Sequence, residues 1–81
     1  MPDMVDDLAA KLAEDVIEVQ DATGEDRLFV EVAEVIGAAS QTLEETFLTQ
    51  VRIRMAERKA RAFLKDRLQQ IEAELKARKG D

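Results

Sequence analysis

Apolar residues recur along this chain at spacings of three and four, the rhythm of helices with one buried face. In the first segment Val5, Leu8, Leu12, Val16 and Val19 form one stripe, widened by Met4 and Ala9. Asp3 stands where a side chain can cap the first turn, and Asp6 and Asp7 follow at the positive end of the helix dipole. The spacing predicts a helix over 3–20. Its end is ambiguous, because Val16-Ile17-Glu18-Val19 has strand-like composition. Residues 21–26, with Gly24 among short polar side chains, read as a turn, and Thr23 with Asp26 suggests a variant capping box.

Over 25–39 the helical reading puts Leu28, Phe29, Val32, Val35, Ile36 and Ala39 on one face and leaves Arg27, Glu31 and Glu34 outside. A strand reading pairs 28–32 with 16–19 as a hairpin across Gly24. The helix is preferred because the three-four spacing persists longer than the alternation. Residues 37–41 weaken the pattern and read as a helix end or kink, with Gly37 more simply an end than a packing site. Thr42 and Glu45 then form a capping box that predicts a helix over 43–78. Nothing breaks it before Gly80, a suitable terminal residue after Lys76, Arg78 and Lys79. Glu57/Arg61, Glu72/Lys76 and Glu74/Arg78 support it as acid-before-base pairs four residues apart.

That third helix would be roughly 54 Å long, more than two short helices can cover. It is apolar on two nearly opposite sides. Ile53, Ala60, Leu64, Leu68, Ile71 and Leu75 lie on one. Leu48, Val51, Met55 and Ala62 lie on the other, with Phe47 at its edge. Two apolar sides ask for neighbours on two sides. The expected fold is therefore all-α: an antiparallel helical bundle of two short helices and one long C-terminal helix, in one domain over 1–81, completed by dimerisation. The residues expected to carry self-association are Leu48, Val51, Met55, Leu64, Leu68, Ile71 and Leu75. The alternative is an α+β fold with a hairpin over 16–32.

Charge adds direction to this picture. Residues 1–50 hold thirteen acids and two bases, 51–67 seven bases and two acids, and 68–81 three of each, giving blocks of −11, +5 and 0 within the net −6. Arg54, Arg58, Arg61 and Lys65 form a ridge between the two apolar sides. It is expected to meet the acidic first half, within the chain or across a dimer. The ridge is also a candidate for a protein partner or for tracking phosphates, but nucleic acid is the secondary reading, given an acidic pI near 4.6 and Phe alone for stacking.

Composition removes most chemistry. At 81 residues a core is marginal, and with no Cys and no His the chain lacks disulfides, thiolate sites and the usual general base. The acids of the first helix lack the spacing of a calcium loop. Glu31/Glu34 and Glu44/Glu45 lack the histidines of a carboxylate di-metal bundle. Met4, Met55 and the three Phe residues read as core. No catalytic residue, cofactor or metal is expected. No apolar run approaches a membrane span, Met1-Pro2-Asp3 leads into no signal-peptide core, and absent Cys fits a reducing compartment, so a cytoplasmic location is the expectation. No motif names a family. The reading is a small non-enzymatic interaction or adaptor protein, acting as a helical homo-oligomer, with the nucleic-acid-associated regulator as alternative.

Overall fold

The computed structural model describes residues 3–79, and among them it is all-helical, without strands. Helix α1 spans Met4–Thr23, α2 Leu28–Ala39 and α3 Gln41–Lys79. The hairpin alternative over 16–32 is thereby overturned: the strand-forming residues 16–19 and 28–32 lie on two helices that bury their apolar face against α3. Helix α1 overruns its expected end at residue 20 by one turn. The terminal position expected at Gly80 lies outside the described residues.

The helix ends are made by particular side chains. Asp3 caps α1 as expected, its Oδ1 accepting from the Asp6 N–H at 2.9 Å. Gly24 closes α1 in the left-handed region (φ 77°), donating its N–H to the Gln20 carbonyl, a conformation a Cβ would strain. The expected Thr23/Asp26 box does not form. The Thr23 hydroxyl instead donates to the Val19 carbonyl and accepts from the Glu25 N–H. Arg27 opens α2 without a side-chain cap, and the cap is supplied from α1: the buried Gln20 accepts the Phe29 N–H on its Oε1 at 2.9 Å. The capping box at Thr42 and Glu45 is likewise displaced. Only Ser40 separates α2 from α3. Its extended backbone donates to the Ile36 carbonyl, and its Oγ accepts from the Leu43 N–H. One serine thus ends one helix and starts the next, two residues before the position the sequence suggested.

The core lies where all three helices meet. Ala9, Ala13 and Val16 of α1, Ala33 and Ile36 of α2, and Phe47 and Val51 of α3 form it. Phe47 and Val51 are the largest side chains wholly removed from solvent. Small residues at 9, 13 and 33 let the helices approach closely around Phe47. This rotates α1 from its expected stripe. Its buried face runs through Ala9, Ala13, Val16, Ile17 and Gln20, whereas Met4, Leu8 and Val19 remain exposed. On α2, Val35 likewise stands outside the buried face. Gly37 is not a helix end but a close approach: a Cβ there would lie 2.6 Å from Glu44 Oε2.

Helix α3 outruns its neighbours. Its 39 residues rise roughly 57 Å, and every residue from 56 to 79 is exposed. The molecule measures 65 × 33 × 14 Å with a radius of gyration of 18.3 Å, against about 12 Å for a compact chain of this length. It is a three-helix head carrying a bare helical arm.

Two substitutions test this packing. Phe47→Ala removes the largest buried side chain and is expected to cost about 3–5 kcal/mol, read as a lower urea midpoint by circular dichroism. Gly37→Ala is expected to be neutral or to stabilise by up to about 1 kcal/mol, because what crowds the new methyl is the carboxylate of Glu44, which can swing away. A loss of more than about 1 kcal/mol would instead mean that the backbones of α2 and α3 must part.

Candidate interaction surface

The basic ridge divides between the head and the arm. Arg58 grips Asp21 with both guanidinium nitrogens, Nη1 to Oδ1 at 2.7 Å and Nη2 to Oδ2 at 2.6 Å. Arg54 reaches Glu14 Oε1 at 3.2 Å and also donates to the side chain and carbonyl of Gln50. Both pairs join the acidic α1 to the basic α3, one of the two meetings of opposite charge expected from the sequence. Their order is the same on both helices, so α1 and α3 run in one direction. Helix α2 runs back the other way beside α3, with Phe29 and Val30 beside 51–59 and Gly37 beside Glu44. Arg61 pairs instead with Glu57 one turn earlier on its own helix, and Lys65 is exposed on the arm.

The Arg58–Asp21 fork closes the head where α1 ends. Its two hydrogen bonds favour the ionised forms, holding the Asp21 carboxyl below the usual carboxylate range and raising Arg58 further above neutrality. Both groups are exposed, so solvent and salt screen the pair. The cleft beside it, about 360 Å³, is lined by Glu14, Ile17, Glu18, Asp21, Arg54, Glu57 and Arg58. Its two cations already face carboxylates, which leaves little positive field for a phosphate. Among the described residues no cluster of acids converges to hold a metal ion, and no helix is long and apolar enough to cross a membrane.

The residues singled out for self-association also separate into two sets. Val51 is 0% exposed and Leu48 and Met55 pack against the core. These three serve the head of their own chain, because α1 and α2 cover that side of α3. Leu64, Leu68, Ile71 and Leu75 lie together on the arm, between 41% and 55% exposed, and Ile53 on the same side is 57% exposed. Phe63, read from the sequence as a core anchor, is 70% exposed: it lies beyond the reach of α1 and α2. A second groove of about 520 Å³ runs between α2 and α3 past Phe29, Val30 and Met55, with Arg52 and Lys59 among its lining. Gln20, which ties α1 to α2, was not legible as a functional position. A lone amide on a mostly apolar face was its only signal.

Compared with known proteins, the chain matches no family model, no curated protein and no solved structure.

The fork makes a pH prediction. A carboxyl whose pKa is depressed on folding contributes stability above its unfolded value, and that contribution is lost as pH falls through the folded value. Asp21→Asn is therefore expected to lower the thermal midpoint at pH 7. The difference from the parent should begin to shrink as the pH falls through the ordinary carboxylate value of about 4 and vanish only below the depressed value that Asp21 has in the fold. A difference unchanged in acid would mean that the charge of Asp21 is irrelevant.

Proposed function

We propose that this chain is a small non-enzymatic protein–protein interaction or adaptor protein that works as a helical homo-oligomer, a dimer in its simplest form. The observation that carries this reading is the arm. A helix of 24 residues exposed along its whole length from 56 to 79, yet bearing Leu64, Leu68, Ile71 and Leu75 on one side, is a poor way to meet water. Four large apolar side chains in a row are worth covering, at about 25 cal/mol per Å² of apolar surface removed from solvent. Most helical stability in folded proteins comes from packing an apolar face rather than from intrinsic propensity. A second copy supplies the cover, with the apolar face as the joining surface and the cations beside it as the source of specificity.

The alternative, a regulator that binds nucleic acid through the ridge, has weaker support. Arg54 and Arg58 are engaged by Glu14 and Asp21, so a phosphate backbone would have to displace two carboxylates to gain two contacts. No residue is proposed for catalysis.

Size exclusion with light scattering, read by refractive index because Trp and Tyr are absent, tests the reading. The parent is expected at twice the 9.1 kDa chain mass or a higher multiple. The double variant Leu64→Lys/Leu68→Lys is expected to return to a single chain while its head stays folded, since both positions lie outside the core. A parent that elutes as a 9.1 kDa monomer overturns it.

A further inference from the structure

The exposed side of α3 carries a pattern that determines how a second copy would lie on it. Ile53, Glu57, Ala60, Leu64, Leu68, Ile71 and Leu75 are spaced four, three, four, four, three and four. At 100° per residue they fall within an arc of about 80°, turned by about 120° from the face that Phe47 and Val51 bury. Two properties follow. The positions repeat every eleven residues, from Ile53 through Leu64 to Leu75, a period that keeps a seam on one side of an almost straight helix. The spacing also reads the same in both directions about Leu64. A strip with that symmetry matches itself when reversed, which is what a two-fold interface between identical helices requires.

Resting on the reading that the chain self-associates, we propose that the arms of two copies pair antiparallel about a two-fold axis at Leu64. Leu64 then meets its own counterpart, Ala60 meets Leu68, Glu57 meets Ile71 and Ile53 meets Leu75. Charge selects this direction over the parallel one. Glu57 is the one charged residue in the seam, and parallel arms in register would set it against its own copy. Reversal separates the two carboxylates and leaves each at the rim with Arg61. Parallel pairing also lays the +5 block of 52–67 beside itself. The reversed pairing lays that block beside 61–76, whose four bases and three acids leave +1. On one flank Arg61 comes beside the second copy's Glu72. On the other, exposed Phe63 comes beside the second copy's Arg67, whose guanidinium and stem can cover the ring. Arg54 and Arg58 hold α1 about a quarter-turn round from the seam, and the two heads lie at opposite ends of the pair.

The absence of native Cys makes disulfide mapping direct. Ile53→Cys, Leu75→Cys and Leu64→Cys are each made in the full chain, at positions outside the core. The Leu75→Cys chain is made with heavy nitrogen, because it otherwise has the same mass as the Ile53→Cys chain, and each protein is oxidised in a glutathione buffer and read by intact mass. An equal mixture of the Ile53→Cys and Leu75→Cys chains is expected to give the mixed disulfide well above the half that random pairing yields, and each of the two alone is expected to stay uncrosslinked, because bridged Cα atoms must lie within about 7 Å. Leu64→Cys alone is expected to crosslink to itself. Self-crosslinking of Ile53→Cys and of Leu75→Cys, with little mixed product, overturns the antiparallel pairing while keeping the homo-oligomer. A multimeric mass with no crosslink at any position overturns the seam as the contact. A monomeric mass with no crosslink overturns the homo-oligomer itself.

Discussion

The structure depends on a mismatch of lengths. Helix α1 has 20 residues, α2 has 12 and α3 has 39. Two short helices on a long one can shield it only as far as they reach, and α1 ends beside Arg58. The core around Phe47 and Val51 is therefore confined to the first half of α3. Everything beyond is helix held by its own backbone bonds and by local pairs such as Glu57–Arg61. The shape of the molecule, the division of its apolar residues and the character of its surface all follow from that mismatch.

Within the head, the packing is set by small residues as much as by large ones. Ala9, Ala13 and Ala33 admit Phe47, and the absence of a side chain at Gly37 admits Glu44. The connections are correspondingly economical. Gln20 caps a helix that lacks a cap of its own, and Ser40 alone joins α2 to α3. The ion pairs at Arg54 and Arg58 lie at the exposed edge of this core, and the apolar contacts beneath supply most of the stability.

How legible this was depends on which force decided each feature. The three helices, the Asp3 cap and the two-sided third helix could be read because they rest on periodicity and local hydrogen bonding. The face that α1 buries could not. Leu8 and Val19 carry more apolar surface than Ala9 and Ala13, and a stripe read by hydrophobicity favours the larger side chains, whereas close approach to α3 favours the smaller. The displaced caps fail for a related reason: Gln20 acts across nine residues and Ser40 competes with Thr42 two positions away, so local motif spacing misses both. The division of the apolar residues on α3 follows from how far α1 reaches, which depends on the helix length and not on any motif.

The continuity of α3 has a mechanical meaning. No linker stands between head and arm, so the same rod passes through both. Each residue along it adds about 1.5 Å of reach and 100° of rotation. Whatever is fastened to the arm is therefore held at a set distance and a set bearing from the head. Helix α3 is both a ruler and a protractor, and inserting a single residue near position 60 would turn one end against the other by more than a quarter of a circle.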